Sequence, residues 1–181
     1  SFQVYDLVIP NHVIKVLYWE YFRSLFEARN QIKYESVPVR DALIEMATAG
    51  RIDKLVAYVN EVLKNLSNRD LMQFSEKNIK MIFMTLLMGN NAYFVKSEQE
   101  NNEGYTDLLL IPTRLNPGRF NFLIELKYVK KSDSDNVEAE KLKAIQQVSR
   151  YRDSLATEGI DCKAFAVLFT GKSGYLVSEV K

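Results

Sequence analysis

The chain has 181 residues, 47% of them hydrophobic, which suffices for the core of one ordinary domain or two small ones. With 24 lysine and arginine against 23 aspartate and glutamate residues, its net charge of +1 gives no general basic character, although a local basic patch would fit. Its single cysteine and single histidine exclude an internal disulfide and a multi-histidine metal site. The single cysteine, Cys162, fits a reducing compartment, so we expect a cytoplasmic protein. No run approaches the roughly 18 apolar residues of a membrane span, so we expect no membrane partner.

Helical periodicity dominates the first half of the chain. Four segments are predicted helices: "IPNHVIKVLYWEYFRSLFEARN", "PVRDALIEMATAG" ending at Gly50, "RIDKLVAYVNEVLKNLS", and "LMQFSEKNIKMIFMTLLMG" ending at Gly89. We place a boundary near Ser67, at the end of the third of them. This divides the chain into a helical coupling segment over 1–66 and a second domain over 67–181.

After Gly89 the period changes to that of strands. The strand candidates "AYFVKSE", "YTDLLLI" and "FNFLIELKYV" precede a helix, "VEAEKLKAIQQVSRYRDSLA", and two further strands follow, "KAFAVLF" and "GYLVSEV". Helix, three strands, helix and strand is an α/β order, here preceded by a helical segment.

Charged residues interrupt two of the apolar strands. Asp107 opens one, and Glu125 and Lys127 lie inside the next, where alternation places them on one face. If the two strands form a hairpin, Asp107 lies near Glu125. Such a carboxylate pair suits Mg²⁺ or Mn²⁺, and a neighbouring lysine can orient a water or stabilise charge on a phosphate. The alternative is an exposed Glu125–Lys127 pair on a solvated sheet face.

Two helical residues add to this pattern. Glu76 interrupts an apolar face that carries Ile79 and Phe83, so it needs a partner; alternatively it reaches solvent or pairs with Lys80. Gln147 is predicted on the inward side of its helix, and the alternative is an ordinary surface glutamine.

The ordered set of segments "SEQENNEGYTD", "LIELKY", "AIQQVSRY" and "FTGK" resembles the PD-(D/E)XK nuclease superfamily. More closely, it is similar to the nuclease-like C-terminal region of bacterial AAA-ATPase-like proteins. The N-terminal "YDLVIPNHVIKVLYWEYF" resembles the helical segment that joins the ATPase-like and nuclease-like domains there. The resemblance covers nearly the whole chain, and it implies a restriction-endonuclease-like fold with a mixed central sheet flanked by helices.

The resemblance also implies roles for individual residues. Asp107 and Glu125 would bind Mg²⁺ or Mn²⁺, and Lys127 would be the catalytic lysine. Glu76 and Gln147 would complete the site from the two helices. Additional candidates are Glu100 and Tyr151. The chain departs from the family at Tyr105, where an arginine is frequent.

We therefore expect a metal-dependent nuclease that acts on nucleic acid, with DNA favoured, as part of a larger ATPase-linked bacterial protein. Two alternatives stay open. The domain could be a catalytically degenerate nuclease fold that binds nucleic acid or a protein. The helical first third could be a coupler, so that the fragment is inactive without its ATPase-like domain.

Overall fold

The computed structural model describes residues 36–65, 74–88, 92–101, 104–114, 118–171 and 174–180, with isolated helical positions at 17, 21 and 24. Apart from those three positions, the predicted first helix lies outside the described residues, as does Gly89. The described helices are α1 Ser36–Ala49, α2 Asp53–Lys64, α3 Glu76–Met88 and α4 Val137–Thr157. The strands are β1 Tyr93–Asn101, β2 Gly104–Pro112, β3 Phe122–Val129, β4 Lys163–Thr170 and β5 Gly174–Val180. A 3-10 helix, Lys131–Asn136, precedes α4.

The five described strands form one sheet in the order β1-β2-β3-β4-β5. Neighbours are antiparallel except β3 and β4, which are parallel because α4 carries the chain across between them. The predicted α/β fold with a mixed sheet and a preceding helical segment is thereby confirmed, and it is consistent with a restriction-endonuclease-like architecture.

The two faces of the sheet are covered by different helices, and strand alternation decides which residues meet them. Even-numbered apolar residues of β2 and β3 share one buried cluster with residues of α1, α2 and α3. On the other face, Leu109 and Leu123 pack with α4. Two small residues of β4, Ala164 and Ala166, also lie on this face, and their size lets α4 approach the sheet closely.

The helical segment before the sheet belongs to the same core. Met46, Ile52 and Leu55 are fully buried in the cluster that contains the sheet residues. The division of the chain between residues 66 and 67 stays a prediction, because residues 66–73 lie outside the described part.

A buried carboxylate and a glycine fix the turn between α1 and α2. Glu45, which is 8% exposed, accepts a hydrogen bond of 2.9 Å from the backbone N–H of Lys54 in the first turn of α2. Gly50 ends α1 at φ +64°, and a Cβ there would lie 2.6 Å from the Lys163 side chain. The predicted stop at Gly50 is thus confirmed.

Candidate active site at a split in the sheet

The site begins where β2 and β3 part. These strands pair at Leu108–Ile124, Leu109–Leu123 and Leu110–Phe122, and the next residue of β2 is Asp107. Asp107 Oδ2 accepts a 3.0 Å hydrogen bond from the backbone N–H of Leu126. The carboxylate therefore takes the place that a backbone carbonyl of β2 would have in a continued ladder. The predicted proximity of Asp107 to the Glu125 segment is confirmed.

Glu125 and Lys127 lie on the face of β3 that α4 covers, since Glu125 is paired in parallel register with Ala166. The Glu125 side chain is 2% exposed and the Lys127 side chain 14%. Lys127 Nζ donates to Glu125 Oε1 at 3.0 Å. An exposed pair on a solvated face, the alternative interpretation of this motif, is wrong because both side chains are withdrawn from water.

Helix α3 contributes one acidic and one basic side chain to this cluster. Glu76 Oε2 lies 3.7 Å from Lys127 Nζ, and Lys80 Nζ lies 3.5 Å from Asp107 Oδ1. Glu76 and Lys80 are one helical turn apart and so share a side of α3. Glu76 is 44% exposed, whereas Lys80 is 13% exposed.

The sequence predicted Lys80 only as an alternative partner for Glu76, and its contact with Asp107 was not predicted. The spacing of four residues from Glu76 was the available signal.

The pKa of Glu125 is raised from 4.5 to about 7, chiefly by burial. The negative charge of Asp107 also raises it, Lys127 lowers it through its charge and its hydrogen bond, and the charge of Glu76 adds a smaller rise. Burial and two acidic neighbours thus disfavour the ionised form of Glu125.

The pKa of Lys127 is also raised. Burial alone would lower it, but the attraction of Glu125, and then of Glu76 and Asp107, outweighs burial. Both pKa values are raised, because the three acids favour the charged form of Lys127 whereas two of them disfavour the charged form of Glu125. Lys127 therefore stays a cation throughout the neutral range.

Gln147 and Tyr151 form a separate pair on α4. Gln147 Nε2 donates to the Tyr151 hydroxyl at 3.0 Å, and Tyr151 is 4% exposed in the cluster beneath α4. Gln147 lies at the half-buried edge of this helix face. The described contacts tie Gln147 to Tyr151 rather than to the acids, so its role in the site stays a prediction.

Glu100 belongs to β1, where its backbone pairs with Tyr105 of β2. Its side chain lies outside the described part of the structure. Its assignment as an additional site residue therefore stays a prediction.

The acids fit a divalent cation by the chemistry of their carboxylate oxygens. Among the described residues, no three acidic, histidine or cysteine side chains form a ready ligand set. Mg²⁺ does not need one, because it is commonly held by one or two carboxylates, waters and substrate phosphates. Glu125 Oε2 is buried without a hydrogen-bond partner, and the negative charge of Asp107 acts on the same carboxyl. Asp107 and Glu125 are thus the residues that would hold the ion.

A sequence model of the PD-(D/E)XK nuclease superfamily matches residues 74–179, which is more than half of the chain. The chain belongs to the PD-(D/E)XK nuclease superfamily. The match begins just before α3 and includes Glu76, Asp107, Glu125 and Lys127. No curated protein matches the chain. In the described residues no helix of this superfamily member has the length and apolar character needed to cross a membrane.

Proposed function

We propose that this protein is a metal-dependent nuclease that hydrolyses phosphodiester bonds, with DNA as its substrate. The observation that carries the proposal is the position of Asp107, Glu125 and Lys127 at the split between β2 and β3. Membership of a nuclease superfamily supports the reaction class and a nucleic-acid substrate. DNA rather than RNA, and Mg²⁺ or Mn²⁺ as the ion, are the finer parts of the proposal.

Each residue of the site has its own role in the proposed reaction. Asp107 and Glu125 hold the ion, which when bound supplies Lewis-acid neutralisation of a phosphate. Lys127, kept charged by its acidic neighbours, orients a water or stabilises the negative charge that develops on the phosphoryl oxygens. Glu76, 3.7 Å from the Lys127 ammonium, adds a second negative charge beside it and completes the site from α3. Gln147 supports the site from α4.

The test is cleavage of supercoiled plasmid and labelled single-stranded oligonucleotides with Mg²⁺ or Mn²⁺, comparing wild type with Lys127→Ala. Lys130→Ala is the matched control, because Lys130 is exposed three residues further along the chain. We expect cleavage that requires the ion, disappears in Lys127→Ala and persists in Lys130→Ala. Undiminished cleavage by Lys127→Ala would overturn the assignment of the lysine.

A second candidate function is a nuclease fold that binds nucleic acid or a protein without cutting. The observation that favours it is that lysines already contact both central acids, Lys80 at Asp107 and Lys127 at Glu125. Binding of oligonucleotides that is unchanged by EDTA and by Lys127→Ala, without any cleavage, would support this candidate.

We also propose that the domain belongs to a larger protein and that this protein is cytoplasmic. The N-terminal resemblance to the segment next to an ATPase-like domain supports a larger bacterial protein with such a domain in the same chain. A cytoplasmic location rests on the single cysteine, Cys162, which is buried and free. Comparing the full-length protein with this fragment in the plasmid assay tests the coupling. Plasmid cleavage by the full-length protein but not by this chain alone would support a coupling role for residues 1–66.

A further inference from the structure

Lys80 is the charged residue of the cluster that the proposed chemistry leaves unused. Its ammonium lies 3.5 Å from Asp107 Oδ1, and its side chain is 13% exposed. A lysine that is so far withdrawn from water needs a compensating charge, and Asp107 provides one.

Asp107 offers a cation few directions of approach. Its Oδ2 accepts the hydrogen bond from the Leu126 N–H at 3.0 Å, which holds the side chain across the gap between the strands. Its Oδ1 is the oxygen that Lys80 contacts. A divalent cation on Asp107 would use the oxygen that faces Lys80, or share Oδ2 with the Leu126 N–H. In either case the ion and the ammonium would meet within a few ångströms and repel each other.

We propose that Lys80 is a positioning residue that serves as a resident counter-cation for Asp107, and that a divalent cation binds there by displacing it. In the absence of the ion, Lys80 holds the Asp107 carboxylate in place and offsets the repulsion among the acids. In its presence, Lys80 leaves Asp107, and the affinity for the ion is lower than the carboxylates alone would give. This inference rests on the proposed metal-dependent function.

The first experiment measures Mn²⁺ binding in the absence of nucleic acid, by calorimetry and by electron paramagnetic resonance of free Mn²⁺. It compares wild type, Lys80→Met and Lys80→Gln with Lys77→Met. Lys77 is an exposed residue of the same helix, so its variant removes the same charge away from Asp107. We expect Mn²⁺ to bind about tenfold more tightly to both Lys80 variants, because one close positive charge is gone, and no change for Lys77→Met.

Lys80→Gln keeps the measurement informative if the methionine variant does not fold, since glutamine can still donate a hydrogen bond to Asp107. Clear Mn²⁺ binding with equal or weaker affinity in the Lys80 variants would overturn the inference and leave the proposed function standing. The absence of Mn²⁺ binding in every variant would overturn the inference, while the plasmid assay would still decide the proposed function, because the ion could then need substrate phosphates as ligands. A gain of equal size in Lys77→Met would also overturn the inference, because it would show a general charge effect.

A second measurement tests the resident role directly. Thermal unfolding in EDTA is compared for wild type, Lys80→Met, Asp107→Asn and the double variant. If Lys80 and Asp107 stabilise each other, the loss in the double variant is smaller than the sum of the two single losses. Additive losses would contradict a resident counter-cation.

Discussion

Glu125→Gln should change how the stability of the metal-free protein depends on pH. The pKa of Glu125 is about 7 in the folded protein, against 4.5 as its ordinary value. Between these values the folded state binds more protons than the unfolded state, so stability falls as pH rises. The stabilisation is complete below pH 4.5 and is lost as pH passes through about 7. The difference corresponds to about 3 kcal/mol of unfolding free energy.

Glutamine is the closest neutral equivalent of the protonated carboxyl. The variant should therefore match the wild type at pH 4.5 and exceed it by up to about 3 kcal/mol at pH 8, which corresponds to a Tm difference of roughly 10 °C for a chain of this size. The variant loses the charge partner of Lys127, but Glu76 remains 3.7 Å from that ammonium.

The assay is urea unfolding in EDTA, followed by circular dichroism, at pH values from 4.5 to 8. Subtracting the variant from the wild type cancels the titration of groups that both proteins share, such as the single histidine. The control is Glu61→Gln, because Glu61 is an exposed acid of α2 that pairs with Lys64 at 2.6 Å. It should leave the pH dependence unchanged. If Glu125→Gln retains the full wild-type slope, the reasoning about the buried carboxyl is refuted.

Three further substitutions probe the described contacts by chemical denaturation. Gly50→Ala should cost about 1–2 kcal/mol, because an L side chain is strained at positive φ; an unchanged midpoint would contradict this. Tyr151→Phe should lower the free energy of unfolding by about 1 kcal/mol, because the hydrogen bond with Gln147 is lost. If that bond has only a structural role, the variant should still cleave plasmid. Glu45→Gln should cost about 1–2 kcal/mol, since the charged acceptor for the Lys54 N–H is replaced by a neutral one; a neutral result would show that the charge is not needed.

The sequence predicted the elements well because each has a clear period and clear end signals. Strand alternation in "FLIELKYV" placed Glu125 and Lys127 on one face, and the hairpin order placed Asp107 beside them. Alternation alone does not show whether that face is exposed to solvent. The exposure depends on α4, whose approach over Ala164 and Ala166 is a long-range packing event.

The contacts between helix α3 and the strands were less predictable. The position of Lys80 four residues after Glu76 shows that the two share a helix side, but not which acid of the sheet each will meet. That choice depends on where β2 leaves β3. The split is visible only in the register, which ends at Leu108 and Ile124 and leaves Asp107 to bind the Leu126 N–H.

Burying this cluster of charged side chains has a cost in stability. Three acids, Asp107, Glu125 and Glu76, face two lysines, Lys80 and Lys127, so with all five ionised one negative charge is uncompensated. Replacing buried ion pairs with apolar residues of similar volume is frequently neutral or stabilising, so stability alone gives little reason to keep them. The excess of negative charge, at the point where the sheet opens, is what a site for a cation requires. Since a divalent ion would turn that excess into a net positive charge, the same five residues would then attract a phosphodiester, whose charge is negative.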